Sequence, residues 1–269
     1  MSILRDCPRI MGVLNVTPDS FSDGGQWLGK TEAVEHAIAM QEAGADIIDV
    51  GGESTRPGAQ AVPLQQELDR VLPVIEAITA QLTVPVSIDT SKPEVMREAV
   101  AAGAGMINDV FALQLDGALR AAANLAVPVC LMHMQGKPRV MQKDPVYTDV
   151  AVEVRQFLLE RARQCEESGI LKENVILDPG FGFGKTLQHN IELFHALPSL
   201  VETGYPILVG VSRKAMIGQL TGRATNDRMP GSITAAALAA LQGASIVRVH
   251  DVAETRDALE VSKALWAAL

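Results

Sequence analysis

A short apolar run closed by turn-forming residues, followed by a longer stretch with apolar residues at helical spacing, recurs eight times along the chain. The first run, residues 10–16, ends in Thr17-Pro18-Asp19; it has the length and bounds of a buried strand. Further strands are expected at 46–50, 85–89, 105–110, 127–132, 174–178, 206–211 and 245–249. Thr31 is placed as the N-cap of the first helix, with Glu32 in its first turn and Val34, Ile38 and Ala39 at helical spacing. The other helices fall around 63–81, 93–102, 116–125, 149–168, 188–197, 230–242 and 253–268. Gly44, Gly103 and Gly243 each stand after a helix and just before an apolar strand, where a left-handed residue turns the chain. Eight units in 269 residues are about 34 residues each, the usual size for a single-domain α/β chain over residues 1–269 folded as a (β/α)8 TIM barrel. Alternation alone also admits an open, doubly wound sheet.

Composition narrows the partners. The chain is 48% hydrophobic and only 4% aromatic, which suits parallel strands covered by helices. A formal charge of −9 argues against nucleic acid or an anionic membrane, since phosphate backbones need a contiguous basic footprint. Three cysteines, Cys7, Cys130 and Cys165, make no Cys-x-x-Cys pair and suggest neither a disulfide framework nor zinc. The first residues carry no basic stretch leading into an apolar one, and no apolar run approaches the ~20 residues of a spanning helix. A cytoplasmic protein is expected.

In a β/α barrel the chemistry collects at the C-terminal ends of the strands. Those ends offer Asn15; Asp49 with Glu53; Asp89; Asn108 with Asp109; His133; Asp178; Ser212-Arg213-Lys214; and Arg248 with His250. Asp and Asn also cap helices and make turns, but so many converging polar groups require a ligand, a metal or mutual pairing. Arg248-Val249-His250 is more specific: strand side chains alternate, so Arg248 and His250 face one way. In an acidic chain that pair forms an anion site on the eighth strand, unless His250 is simply a structural hydrogen-bonding residue.

Two loops, residues 17–25 and 51–58, combine glycines and hydroxyls with Phe21 or Arg56, a composition suited to mobile lids. Asp178-Pro179-Gly180-Phe181-Gly182-Phe183-Gly184-Lys185-Thr186 contains Gly-Lys-Thr after a strand, but a P-loop needs Gly at position 179, which is Pro. The glycines are expected to let backbone approach a flat ligand, with the two Phe rings as apolar walls.

The segments MGVLNVTPDSFSDGG, DIIDVGGESTRPGA, VSIDTSKPEV, ILDPGFGFGKT, LVGVSRK and GSITAAALAALQGASIVRVHDV resemble the signature segments of bacterial dihydropteroate synthases, in the family's order and over nearly the whole chain. The resemblance implies the barrel, a homodimer, Mg²⁺, and a transferase of folate biosynthesis. The reaction implied condenses 7,8-dihydropterin-6-ylmethyl pyrophosphate with p-aminobenzoate, through a dissociative pterin cation, in an enzyme class that sulfonamides target. It also implies a pterin site of Asp89, Asn108, Met132, Asp178 and Lys214. A pyrophosphate site would follow from Asn15, Thr55, Arg56, Arg248 and His250, with Asn15 also a magnesium ligand. The p-aminobenzoate site would comprise Phe21, Thr55, Pro57, Phe183, Arg213 and Lys214. Asp89, Lys214, Arg248 and Asn15 are the residues expected to carry catalysis.

Many relatives place Ser after the Arg-Lys pair where this chain has Ala215. One hydrogen bond to a charged group is worth roughly 1.5–3 kcal/mol; backbone N–H groups there are expected to substitute. Rival readings are a methyltetrahydrofolate-dependent methyltransferase, a non-catalytic pterin-binding paralogue, and a Schiff-base aldolase using Lys214. The first would have no use for the Arg248/His250 pair.

Overall fold

A computed structural model of the chain describes residues 8–16, 25–54, 60–136, 141 and 144–266. Eight strands, all parallel, form one sheet: β1 (Arg9–Asn15), β2 (Ile47–Gly51), β3 (Val86–Asp89), β4 (Met106–Asp109), β5 (Val129–Met132), β6 (Val175–Asp178), β7 (Leu208–Val209) and β8 (Ile246–Val249). Hydrogen-bonded neighbours run β6, β5, β4, β3, β2, β1, β8, β7. A parallel bridge between Leu177 and Ile207 joins the two ends, with the Leu177 N–H donating to the Pro206 carbonyl at 2.9 Å. The sheet is therefore a barrel; the doubly wound alternative would leave those edges apart.

Helices α1 (Gly25–Glu42), α2 (Leu64–Thr79), α3 (Pro93–Ala101), α4 (Ala118–Leu125), α5 (Val150–Glu167), α6 (Leu187–His195), α7 (Leu197–Val201), α8 (Ala215–Thr221), α9 (Met229–Leu241) and α10 (Val252–Trp266) occupy the connections. Their buried faces meet the outward strand residues: Ala33, Ala37 and Met40 of α1 join Ile10 and Leu14 in one large core. Inside the barrel lies a separate layer of Met11, Ile47, Met106, Cys130, Ile176, Leu208 and Ile246. The turn glycines sit as expected, at φ +97° for Gly44, +111° for Gly103 and +98° for Gly243, a region that a β-carbon disfavours.

Several boundaries differ from the sequence expectation. α1 begins at Gly25, so Thr31 lies inside the helix rather than at its N-cap. Gly29 costs helix stability by about 1 kcal/mol relative to Ala, and the packing of Ala33, Ala37 and Met40 outweighs it. The helix expected over 188–197 is α6, and a separate short helix, α7, follows it with Pro198 in its first turn, where the missing N–H costs no hydrogen bond. A short α8 also precedes α9, and β7 is only two residues long.

Candidate active site

Two residues beyond the apolar layer, the same inward faces of the strands carry Asp49, Asp89, Asn108, Met132, Asp178 and Arg248. Pairing register sets their heights: Asn15 lies opposite Gly51, Gly51 opposite Asp89, Asp89 opposite Asn108, and Met132 opposite Asp178. A cleft opens here, lined by Asp89, Asn108, Val110, Met132, Asp178, Phe183, Gly210, Lys214 and Arg248. Every residue of the expected pterin site lines it.

Arg248 organises one side. Its Nε donates to Asp49 Oδ2 at 2.7 Å and its Nη2 to Asp89 Oδ2 at 2.9 Å. Asn108 Nδ2 donates to the same Asp49 oxygen at 3.0 Å. Asp49 is fully buried. Burial pushes the Asp89 carboxyl up to about 7, with Arg248 pulling it down and the charges of Asp49, Asp109 and Glu67 pushing it further up. Burial works against the Arg248 charge, and the Asp49 and Asp89 carboxylates more than restore it, holding its pKa above the usual value.

Opposite stands Asp178, whose Oδ1 accepts the Gly180 N–H at 2.7 Å. Burial raises this carboxyl, while Lys214 and the Gly180 amide favour its ionised form. Lys214 Nζ donates to the Phe181 carbonyl at 2.6 Å and lies 4.6 Å from the centre of the Phe183 ring. Burial lowers the Lys214 ammonium to about 8 against the pull of Asp178. The mouth thus holds fixed acceptors, one cation with an accessible proton, and apolar surface from Val110, Met132 and Phe183. Such a site suits a flat heterocycle with N–H donors on one edge.

Other strand-end residues have different work. Asp109 accepts from the Phe111 and Leu113 amides at 2.9 and 2.8 Å and from the Ser91 hydroxyl, holding the loop after β4. Glu53 pairs with Lys92, which also binds the buried Glu67. Arg213 sits at φ +56° with its guanidinium paired to Asp251, Nε at 3.1 Å, and does not line the cleft. His250 follows β8, its Nδ1 3.0 Å from the Ser212 hydroxyl. Asn15 ends β1, its carboxamide oxygen 3.9 Å from where a β-carbon on Gly51 would stand. Phe21, Thr55, Arg56 and Pro57 lie outside the described residues.

The glycine loop after β6 departs from its expected role. A β-carbon on Gly180 would stand 1.9 Å from the His133 carbonyl oxygen, and one on Gly184 2.4 Å from that of Gln135; these glycines let backbone meet backbone, not a ligand. Phe181 is wholly buried, 5.7 Å from Phe194 between ring centres; of the two rings only Phe183 is a wall. Lys185, which the sequence left without a role, clamps this loop. Its Nζ donates to the Gly180 and Phe183 carbonyls at 2.8 and 3.1 Å and lies 3.0 Å from His133 Nδ1. Burial, then the Lys185 charge, push His133 down to about 3, so the ring is a neutral acceptor. A lysine seven residues after the strand-end Asp178 was the signal available, and the failed phosphate-loop register left it without a partner to suggest.

A barrel mouth with buried carboxylates, one carboxamide and two half-buried cations defines a small-molecule enzyme built around an uncharged flat ring and an anion. A family model described as pterin binding enzyme matches residues 11–250. The dihydropteroate synthase of Escherichia coli K12 is 54% identical over 261 residues, covering 97% of this chain and 93% of that one. A Xanthomonas albilineans dihydropteroate synthase structure with 4-aminobenzoic acid superposes at TM-score 0.93 and 56% identity, covering 97% and 94% of the two chains. Another from that organism, with 7,8-dihydropteroate, gives 0.88 at 51%, covering 99% and 96%. The chain belongs to the dihydropteroate synthase family of pterin-binding enzymes.

Proposed function

We infer that the chain condenses 7,8-dihydropterin-6-ylmethyl pyrophosphate with p-aminobenzoate, giving 7,8-dihydropteroate and pyrophosphate. The observation that carries this is the division of the cleft between Asp178 with Lys214 on one side and Arg248 with Asp89 on the other, Asp49 standing behind Arg248. Asp178 accepts from adjacent N–H groups of the aminopyrimidine edge, Asn108 binds beside it, and Lys214 donates to the ring's carbonyl side. Arg248, with His250 beside it, receives the pyrophosphate. As the methylene C–O bond breaks, its electron pair leaves with pyrophosphate, and the ionised Asp89 stabilises the positive charge spread over the pterin. The aniline nitrogen then bonds the methylene carbon and loses a proton, which restores neutrality without a nucleophilic side chain.

Phe183 and Lys214 border the position where p-aminobenzoate approaches. The parts assigned to Phe21, Thr55, Arg56 and Pro57 rest on the sequence resemblance, as does a contact from Arg213, which would have to leave Asp251. Among the described residues no group of three or more His, Cys, Asp or Glu is set to hold a metal. Mg²⁺ would be held by the Asn15 carboxamide oxygen at the end of β1, with substrate phosphates and water completing the oxygen shell this hard ion takes. Bound there, Mg²⁺ supplies positive charge to the departing pyrophosphate.

A homodimer would cover apolar side chains that the C-terminal helices leave exposed: Leu220 at 57%, Leu238 at 47%, Val261 at 57% and Leu265 at 71%. No described helix is long and apolar enough to cross a membrane. The test of function is one incubation of the protein with Mg²⁺ and both substrates, following pyrophosphate and dihydropteroate. Pterin binding without dihydropteroate formation would overturn it.

A further inference from the structure

We propose that Asp49 is a positioning residue that fixes the leaving-group cation Arg248 and the ring-binding carboxamide Asn108 in a single frame. The proposal deepens the functional reading above and rests on it. Asp49 comes from β2, Arg248 from β8 and Asn108 from β4, and β2 is the middle strand of the arc β4, β3, β2, β1, β8. A single carboxylate oxygen, Oδ2, ties the ends of that arc together, 2.7 Å from Arg248 Nε and 3.0 Å from Asn108 Nδ2.

Asp49 is sealed from solvent and does not line the cleft, so it acts through its two partners. An ionised carboxylate only accepts hydrogen bonds, which forces the nitrogen of Asn108 toward Asp49 and leaves the carboxamide oxygen for the ring. Arg248 has a second carboxylate, Asp89, at 2.9 Å, and the two are not equivalent. Asp89 lines the cleft and must be released to face the pterin cation, whereas Asp49 has nowhere else to go. Asp49 is the permanent anchor and Asp89 the exchangeable one. Without the anchor, Arg248 would turn both its donors to Asp89, quench the charge the reaction needs, and lose its aim at pyrophosphate.

Asp49→Asn tests this, since Asn keeps the shape and an acceptor oxygen while removing the charge, and Arg248 retains Asp89 as a partner. The expected result is a fall of 30-fold or more in kcat/KM for the pterin pyrophosphate, with KM for p-aminobenzoate within threefold of the parent. The acid limb of the pH profile should also move to lower pH. Asp89 faces Arg248 from β8, Asp49 from β2, Asp109 from β4 and Glu67 from α2; deleting the Asp49 charge removes a repulsion and frees Arg248 to favour ionised Asp89. A merely structural role would leave that limb in place. As a second arm, Arg248→Gln is compared with Asp49→Asn/Arg248→Gln, which removes both charges and strands neither. The double variant should fall well short of a further 30-fold loss below the single, because of the anchor's two partners only Asn108 is left to be held. A parent-like Asp49→Asn, a loss with the acid limb unmoved, or a full further 30-fold loss in the double variant would each overturn the proposal. An unmodified protein that forms no dihydropteroate would instead overturn the functional reading.

Discussion

Asp89 and Lys214 have ordinary values on opposite sides of neutrality, and burial brings both close to it, to about 7 and about 8. Asp89 is needed as the anion and Lys214 as the ammonium, so protonation of the first below about 7 and deprotonation of the second above about 8 each remove activity. The profile of kcat/KM against pH for the pterin substrate is therefore expected to be a narrow bell centred between those values; activity undiminished at pH 5 would exclude an essential Asp89 anion. Asp178→Asn should lose roughly 100-fold in kcat/KM, since it turns one acceptor oxygen into a donor facing N–H groups, and Arg248→Ala at least as much. Ala215 is exposed at the first position of α8, so Ala215→Ser should lower KM for p-aminobenzoate by no more than about tenfold, the worth of one hydrogen bond; a thousandfold gain in a steady-state assay would contradict this. The places of these residues at the strand ends could be read from the chain, while their roles came from the family resemblance. The tie between Arg248 and Asp49 could not, since 199 residues separate them and no local pattern relates their positions.

The loop between β6 and α6 is the element least legible in the sequence. Its glycines advertised a ligand cradle, yet Gly180 and Gly184 serve the join to the loop after β5, and Lys185 bolts the two together from beneath. Composition shows that a loop has glycines, not which backbone they approach. Gly180→Ala meets a fixed carbonyl oxygen at 1.9 Å and a φ of +67°, and should destabilise by roughly 2–4 kcal/mol through overlap and a left-handed backbone. Gly182→Ala, at φ +81° with only the flexible Lys214 Cδ at 3.4 Å, should cost about 1–2 kcal/mol. Thermal unfolding of the pair measures the difference, and equal losses would refute the backbone join. The helices were legible over the long elements, as in α5 and α9, while the start of α1 was placed too late and the short α7 and α8 were not foreseen.

At the scale of the molecule, the exposed leucines and valine of α8, α9 and α10 predict that Leu238→Glu or Val261→Glu yields monomers by sedimentation, where the parent sediments as a dimer; a monomeric parent would remove that reading. The barrel is also unevenly hooped. Seven strand junctions are ladders of two to five paired residues, while β6 and β7 meet through the lone Leu177–Ile207 bridge. In native-state hydrogen exchange the Leu177 amide, the seam's reporter, should exchange ahead of amides in the β1–β2 ladder. Asp178 immediately follows Leu177, and Gly210 and Lys214 follow β7, so the cleft is built astride the barrel's weakest stave joint. A ring bound to Asp178 and Lys214 would rivet that joint, and slowed exchange at Leu177 would record its arrival.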